Sequence, residues 1–335
     1  MLEFKVSVLI PVFNAGKYIE KAVKSALIQP ETAEIIMVED GSNDNSAEVC
    51  HRIASETEFV KFYQHPDQKN HGAGPTRNYA IELANYPYIS FLDADDFYLN
   101  NRFKKTKDVF KNHLDADGVY ECLGVHFENE QVKKSWIDQK KKLITTVNEK
   151  INPSNLFYEL LKGGKGYFHL NTLTLRSTSI DIKFSDLKLS QDVLFTWMLA
   201  ASKNLYPGEI KHPVAIRRVH DENRHTKSLK SLISYQLNAH ETLVQWLEER
   251  SFDAEKTNLA RRVAYSRKID IISFDPFFLR VTKLFQLLIK SIPNRQLIFS
   301  KYSIKLVLSL LGVFKILKLF YKDYICLLSK KSNFT

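Results

Sequence analysis

The stretch VSVLIPVF, residues 6–13, is an almost unbroken apolar run, and three similar runs follow it within the first 100 residues. These later runs begin near Glu34, Phe59 and Tyr88, and stretches with a helical pattern separate them. Short apolar runs that alternate with helices are typical of strands that a sheet buries on both faces. The sequence therefore predicts an α/β fold with a mostly parallel sheet, flanking helices and right-handed crossovers.

Polar residues follow three of these apolar runs, at the points where the predicted strands end. Pro11 and Asn14 close the first run, the segment EDGS (39–42) follows the second, and the segment DADD (93–96) follows the fourth. Ligands of open α/β sheets bind beyond the carboxyl ends of the strands. We therefore expect one ligand site that is built from these three segments.

The second part of the chain has a less regular pattern. Residues 115–150 are rich in charge and predict an edge hairpin or a mobile loop, whereas residues 153–162 predict a helix that is followed by a glycine break. The alternating apolar run at 167–175 predicts a strand. The patterns at 187–201 and 227–250 predict helices.

The DADD segment places three carboxylates within four residues. Their mutual repulsion is costly unless a cation neutralises it, and a divalent cation prefers oxygen ligands of this kind. No GxGxxG follows the first run and no GxxxxGK[ST] occurs in the sequence, which disfavours a dehydrogenase or a P-loop enzyme. We expect a nucleotide that is held by base contacts and a divalent cation. An aspartate-rich cap for a helix near Asn100 is the alternative.

Four segments in this order and at these spacings resemble an inverting family 2 glycosyltransferase of the bacterial surface-polysaccharide type: SVLIPVFN, VEDGSNDNS, NHGAGPTRN and FLDADD. They cover residues 6–103, and the segments LSQDVLF and RRVHDENRHT extend the resemblance more loosely. The resemblance implies a GT-A catalytic domain over residues 1–225 and a C-terminal helical region over 226–335. It also implies metal-dependent transfer of a hexose or an N-acetylhexosamine from a UDP-sugar to a hydroxyl group of a glycan acceptor.

The resemblance assigns the nucleotide-sugar site to six residues of these motifs: Pro11, Asn14, Asp40, Arg77, Asp93 and Asp95. Asp40 resembles the aspartate that accepts a hydrogen bond from the uracil. Arg77 resembles the arginine near the diphosphate, where its planar fork can donate two hydrogen bonds. Outside the resemblance, EDGS is also a common turn and Arg77 could be a surface residue of a helix.

Asp93 and Asp95 match the DXD motif of the family, in which the last aspartate binds Mn²⁺ or Mg²⁺. The cation stabilises the charge that develops on the departing nucleoside diphosphate. His220 resembles the C-terminal histidine that many GT-A enzymes bring to the metal or the diphosphate, and a neutral imidazole is a suitable Mn²⁺ ligand. The expected metal ligands are therefore Asp95 and His220. A structural role for His220, a competing role for His225 and phosphate contacts by the adjacent arginines at 217 and 218 are the alternatives.

Asp192, in the segment SQDVLF, occupies the position of the family's catalytic base. Inversion requires a base that deprotonates the acceptor hydroxyl group on the face opposite the leaving group. The sequence departs from the commoner Glu-Asp pair, because Gln191 stands in place of the glutamate. Either another residue adjusts the pKa of Asp192 or the glutamate is dispensable. A helix cap is the alternative role for Asp192.

The positive charge of the protein is concentrated at its C-terminal end. The formal net charge is +10, and residues 276–335 contain 11 lysines and arginines against one acid, Asp323. Lysines and apolar residues between Lys301 and Lys322 occupy opposite arcs of a helical wheel, which predicts a cationic amphipathic helix. The longest charge-free run there, 306–314, is too short to span a bilayer. We expect this helix to dock on an anionic membrane surface beside a lipid-linked acceptor. Packing against the body or a second subunit is the alternative.

Composition favours a folded globular protein of a reducing compartment. With 44% hydrophobic and 26% charged residues the chain resembles a folded globular protein, and its three cysteines show no CxxC or zinc spacing. The N-terminus shows no signal peptide, and no aromatic stacking platform accompanies the lysines, so we do not expect nucleic acid as a partner. We expect a cytoplasmic protein, peripheral on the inner face of the plasma membrane. A nucleotidyltransferase and a non-enzymatic membrane-surface binding protein are the alternative functions.

Overall fold

The structure is a computed structural model that describes residues 3–221, 229–275, 279, 280, 282–284, 286 and 287. It divides into two units, Met1–His225 and Thr226–Thr335. The functions that we assign to the two regions stay predictions. The cationic amphipathic helix between Lys301 and Lys322 lies outside the described residues, as does His225.

Eleven strands occur in the described part of the first unit, and they form two sheets. In chain order they are β1 (Val6–Val12), β2 (Thr32–Glu39), β3 (Val60–Gln64), β4 (Tyr88–Phe91), β5 (Phe97–Tyr98), β6 (Gly118–Tyr120), β7 (Leu123–Phe127), β8 (Ile144–Thr145), β9 (Leu173–Arg176), β10 (Leu205–Pro207) and β11 (Ala215–Val219).

The helices of the described residues flank these sheets in the first unit or form a pair in the second. They are α1 (Ile19–Leu27), α2 (Ser46–Glu56), α3 (Ala73–Leu83), α4 (Lys104–Asn112), α5 (Glu130–Asp138), α6 (Pro153–Lys162), α7 (Gln191–Ser202), α8 (Leu229–Glu249) and α9 (Ala254–Ile272). Two short 3₁₀ turns, Leu170–Thr172 and Ser177–Ser179, flank β9.

The larger sheet has the strand order β10-β6-β9-β4-β1-β2-β3. All neighbouring strands run parallel except β9, which is antiparallel to both β4 and β6. Val8, Leu9 and Ile10 of β1 are fully buried, as expected for a central strand that helices cover on both faces. The predicted α/β fold with a mostly parallel sheet and C-terminal helices is confirmed.

The smaller sheet has the order β5-β11-β7-β8. Strands β11 and β7 are parallel, and the two outer pairs are antiparallel. Residues 115–150, where the sequence predicts a hairpin or a mobile loop, contain β6, β7, α5 and β8. Strand β11 returns the chain to the segment that follows β4, and this brings the motif around His220 back to the DADD segment.

Two predicted elements differ from the structure in their extent. Only Leu173–Arg176 of the run at 167–175 is a strand, because the buried polar residues Asn171 and Thr172 form a 3₁₀ turn before it. The helix predicted over 187–201 begins at Gln191, since Ser190 adopts a left-handed conformation with φ of 65°. The prediction for residues 153–162 matches α6, which ends at Gly163 in the same left-handed region.

The second unit contains the helices α8 and α9, which pack against each other. Leu243 and Leu247 of α8 and Ala260 and Ile269 of α9 are among its buried residues. Within the described residues, no helix is both long and apolar enough to cross a membrane.

Candidate active site

The three polar segments meet at one edge of the larger sheet, as the sequence predicts. Strand β1 lies between β4 and β2, and all three run parallel, so their carboxyl ends are neighbours. The side chain of Asn14 accepts a hydrogen bond from the Asn43 amide at 2.9 Å, and the Asn14 amide donates to Ser42 Oγ at 2.9 Å. These bonds join the loops after β1 and β2. Pro11 lies within β1 and is half-buried.

The Asp40 carboxylate holds the loop that leads into α3. It accepts hydrogen bonds from the His71 amide at 2.7 Å, the Gly72 amide at 2.9 Å and Asn70 Nδ2 at 3.0 Å. The Asp40 residue is only 2% exposed. Gly72 has φ of 88°, a conformation that favours glycine, so the loop depends on this residue to present its amide to Asp40. The role of Asp40 in uracil recognition stays a prediction.

Phe13 presents an aromatic side chain at the same edge. It follows β1 directly and is 37% exposed, between the buried Val12 and Asn14, which has φ of 50°. Phe13 is not among the residues that the sequence motifs predict for the site. The available signal was an aromatic residue inside the polar segment that ends the first strand.

Arg77 lies beside the DADD segment rather than on the protein surface. Its guanidinium donates to Asp93 Oδ1 at 2.6 Å, and the Arg77 side chain is 7% exposed. The alternative of a surface helix residue is therefore wrong. Burial opposes ionisation of Asp93, but the charges of Arg77 and His169 outweigh it and lower the pKa of this carboxyl group.

Asp95 and His220 are adjacent, although 125 positions separate them in the sequence. Asp95 Oδ2 lies 3.3 Å from His220 Nε2, and the imidazole packs on the Tyr18 ring with 4.6 Å between the ring centroids. One carboxylate oxygen and one imidazole nitrogen form a donor pair that suits Mn²⁺ or Mg²⁺, which often take further ligands from substrate phosphates. No group of three or more potential protein ligands surrounds a common position in the described part of the chain. The pair fits a cation whose other ligands come from the substrate.

Asp96 has a different environment from its two neighbours in the DADD segment. It is 3% exposed, and it accepts hydrogen bonds from the Arg218 amide at 2.8 Å and from Asn171 Nδ2 at 2.5 Å. Burial, together with the negative charges of Asp95 and Asp93, raises the pKa of Asp96 well above its usual value. The next helix, α4, begins only at Lys104, so the alternative of an aspartate-rich helix cap is wrong.

The two arginines at 217 and 218 have separate environments. Arg218 Nε donates to the backbone oxygen of Asp95 at 3.0 Å, and its guanidinium lies 4.9 Å from the centre of the Tyr18 ring. Arg218 therefore supports the DADD segment. The charge of Arg217 lowers the pKa values of Asp93 and His169, so Arg217 lies near the site. Its contact with phosphate stays a prediction.

Asp192 lies in the first turn of α7 and is half-buried. The N-cap position of α7 belongs to Ser190, so the alternative role of Asp192 as the cap residue is wrong. The positive end of the helix dipole favours a carboxylate at this place. Gln191 is 6% exposed and packs against α3, where a Cβ atom at Gly74 would collide with the Gln191 side chain. A neutral amide avoids the burial of a second carboxylate there.

His169 interacts with the charges of both Asp192 and Asp93. Burial lowers the pKa of its imidazole, although the charges of Asp93 and Asp192 act in the opposite direction. His169 Nδ1 accepts a hydrogen bond from the Asn171 amide at 3.3 Å, so the proton of the neutral ring lies on Nε2. The alternating pattern of residues 167–175 predicts an ordinary strand and gives His169 no role in the site. The polar residues His169 and Asn171 inside the apolar run FHLNTLTL were the available signal.

Comparisons with known proteins agree with this architecture. Residues 7–170 match the model of the family described as Glycosyl transferase family 2. An uncharacterized glycosyltransferase of Haemophilus influenzae is 29% identical over 229 residues, which is 67% of this chain and 84% of that protein. The succinoglycan biosynthesis protein ExoU of Rhizobium meliloti is 39% identical over 100 residues, which is 29% of this chain and 28% of that protein.

Solved structures of TarS from S. aureus share the fold at low sequence identity. One is 18% identical with a TM-score of 0.61, and the match covers 91% of this chain and 86% of that chain. A TarS complex with UDP has a TM-score of 0.60, and a complex with UDP-GlcNAc has a TM-score of 0.53. At this identity the likeness establishes the fold alone. Together these findings show that residues 7–170 match the family 2 glycosyltransferase model and that the chain shares the GT-A fold of the TarS structures.

Proposed function

We propose that the protein is a metal-dependent inverting glycosyltransferase. It would move a hexose or an N-acetylhexosamine from a UDP-sugar to a hydroxyl group of a glycan during surface polysaccharide biosynthesis. The main observation is the pairing of Asp95 with His220 at 3.3 Å beside the ion pair of Arg77 with Asp93. The TarS complexes with UDP and UDP-GlcNAc support a UDP-sugar donor, and the name of ExoU supports the polysaccharide context.

Asp95 and His220 would hold Mn²⁺ or Mg²⁺ between them and the diphosphate of the donor. A bound cation would supply Lewis acidity that stabilises the charge on the departing nucleoside diphosphate. Arg77 adds positive charge beside the same segment, and its pairing with Asp93 fixes the direction of the guanidinium. Arg217 adds a second positive charge near the site.

Asp192 would act as the general base. As the acceptor oxygen forms its bond to the anomeric carbon, the bond from that carbon to the diphosphate oxygen breaks, and the hydroxyl proton passes to the Asp192 carboxylate. The position of Asp192 in the first turn of α7 supports this role, because the half-buried side chain keeps its carboxylate open to an acceptor.

Pro11, Asn14 and Asp40 would form the nucleotide end of the site. Asp40 would present the loop at residues 70–72 to the uracil while it accepts the hydrogen bonds of that loop. We add Phe13 to this group. Its exposed ring can stack on the base, and such stacking is favourable for every base because each has an aromatic face.

A panel of UDP-sugars tests this function through metal-dependent release of UDP. The wild type should release UDP with at least one donor in the presence of Mn²⁺ or Mg²⁺, and a chelator should stop the release. UDP with Mn²⁺ at about 100 times its Kd should also stabilise the fold by about 2.7 kcal/mol. Release of pyrophosphate from UTP and a sugar phosphate would instead favour a nucleotidyltransferase. No stabilisation by any nucleotide would favour a membrane-binding protein without enzymatic activity.

The acceptor would be lipid-linked, and residues 276–330 would hold the enzyme on the inner face of the plasma membrane. The charge in the sequence supports this part of the proposal, since residues 276–335 contain 11 basic residues against one acid and so carry a net charge equal to the +10 of the whole protein. The full-length protein should float with anionic liposomes and less so at high ionic strength. A chain that ends at Asp275 should stay in the lower fraction. Equal flotation of both chains, or flotation of neither, would contradict the docking role.

A further inference from the structure

Asn171 is a fully buried residue of the 3₁₀ turn before β9, between Leu170 and Thr172. Strand β9 runs antiparallel to β4, so the residues that precede β9 lie beside those that follow β4. Ser90 Oγ of β4 donates to the backbone oxygen of Leu173 at 3.0 Å and shows how close the two strand ends are. The turn therefore lies next to the DADD segment.

Both ends of the Asn171 amide bind the DADD segment. Its Oδ1 accepts a hydrogen bond from the Asp93 amide at 3.0 Å, and its Nδ2 donates to Asp96 Oδ2 at 2.5 Å. Asn171 is thus an acceptor for one end of the segment and a donor for the other. Asp95 lies between these two anchored positions in the sequence, so the bonds restrict the backbone that carries the proposed metal ligand.

The backbone of Asn171 makes two further contacts. Its amide donates to His169 Nδ1 at 3.3 Å, which fixes the orientation of that imidazole. Its carbonyl oxygen accepts from Arg102 Nε at 3.3 Å. Arg102 is fully buried and pairs with the equally buried Glu121, whose Oε2 lies 2.5 Å from Arg102 Nη1. The turn is therefore anchored in the polar interior of the domain, away from solvent.

We propose that Asn171 is a positioning residue of the site, which fixes the DADD segment and His169 relative to each other. This inference rests on the proposed glycosyl transfer. Neither aspartate nor leucine can replace the amide, because aspartate has no donor for Asp96 and leucine has neither a donor nor an acceptor. The Asn171 side chain need not touch the substrate, since it acts through the groups that it holds.

The hydrogen bond between Asn171 and Asp96 offers a direct test because its direction can be reversed. In Asn171→Asp, two carboxylates face each other in a buried place. In the double variant Asn171→Asp with Asp96→Asn, the new carboxylate can still accept from the Asp93 amide and can accept from the new amide at 96. That amide's oxygen can still accept from the Arg218 amide. The double variant thus restores all three bonds.

We expect Asn171→Asp to lower kcat/KM by about 10²-fold, the scale of a displacement of about 1 Å at a reactive centre. The double variant should return kcat/KM to within about fivefold of the wild type. Unfolding in urea of the wild type, Asn171→Asp, Asp96→Asn and the double variant gives the stability coupling of the pair and shows whether every chain is folded under the assay conditions. Ser7→Ala, which removes a buried hydroxyl group that bonds Glu34 at the start of β1, away from the DADD segment, should keep kcat/KM within about twofold.

The outcomes separate this inference from the proposed function. A wild type that releases no UDP from any donor would contradict the proposed function, and the stability coupling would still show whether the pair interacts. An active wild type with an equally active Asn171→Asp would overturn the positioning role. A double variant that regains stability but not kcat/KM would also overturn it, since the amide would then serve the fold alone.

Discussion

The carboxylates that follow β2 and β4 occupy equivalent places in the topology but differ in their hydrogen bonds. Asp40 is 2% exposed and accepts hydrogen bonds from three donors of its own chain, whereas the Asp95 side chain is 33% exposed and lies beside His220. A parallel strand end brings an acidic residue to the edge of the sheet. The local loop then decides whether the carboxylate holds the backbone or faces a ligand.

The largest effect should come from Asp95→Ala. We expect it to abolish transfer and metal-dependent binding of UDP without unfolding the protein, because the side chain is part of an exposed strand end rather than the core. Turnover assays over a range of Mn²⁺ concentrations would measure the loss. Asp108→Ala, an exposed acid on α4, is the control and should behave as the wild type. Normal turnover of the folded Asp95→Ala protein would remove Asp95 from the metal site.

Asp192→Asn should have the next largest effect. The substitution keeps the shape but removes the proton acceptor, so kcat should fall by a factor of about 10² to 10⁴ while the affinity for the UDP-sugar is preserved. Single-turnover kinetics and equilibrium binding separate the two quantities. Asp108→Asn, at an exposed position on α4, is the matched control. If binding collapses and kcat survives, another residue is the base, and Asp186 or Asp181 would be examined next.

Asp40→Asn tests the other side of the comparison. It should lower the free energy of unfolding by about 1–3 kcal/mol, because a carboxylate oxygen that accepts from backbone amides is replaced by an NH₂ group that cannot accept. Urea unfolding would show this loss, and Asp95→Ala should not share it. Asp67→Asn changes only exposed contacts, to the His71 side chain and the Lys69 amide of the same loop, and should cost less stability than Asp40→Asn. Equal stability of wild type and Asp40→Asn would mean that the loop does not depend on this carboxylate.

Phe13→Ala should have the smallest effect of the series. Loss of a stacking surface for the base should raise KM for the donor about tenfold with little change in kcat, which corresponds to the lower part of the range for base stacking. Stability should change little because the ring is 37% exposed. Phe59→Ala removes an exposed ring before β3, at the opposite end of that sheet, and should leave KM unchanged. An unchanged KM in Phe13→Ala would exclude base stacking on this ring.

The sequence predicts which residues lie at the carboxyl ends of the strands better than it predicts the contacts that each side chain makes. The apolar runs and the polar residues after them correctly place Asn14, Asp40 and Asp93 at one edge, because parallel strands share an end. The resemblance also selects His220, which the structure brings to Asp95. These assignments rely on strand direction and on motif order, and both can be read along the chain.

Other features depend on partners that are distant in the chain and that have no fixed spacing. The hydrogen bonds that the Asp40 carboxylate accepts come from a loop about 30 residues later in the chain. The Asn171 side chain bonds a segment about 75 residues earlier. The alternating pattern around Asn171 predicts a strand because pattern analysis does not include the cost of an unpaired buried amide. That part of the run instead forms a 3₁₀ turn, in which the Asn171 side chain bonds the Asp93 amide and the Asp96 carboxyl group.

The reversed direction of β9 has a consequence for how this architecture can diversify. Because β9 runs antiparallel to β4, the chain enters β9 at the end of the sheet where β4 ends. Residues 128–168 connect β7 to the turn before β9 and contain α5, β8 and α6. Changes in the length or composition of this connection need not alter the register of β1, β2 and β4. The topology thus separates the strand ends that carry the proposed nucleotide-sugar site from a connecting segment whose length can change independently of them.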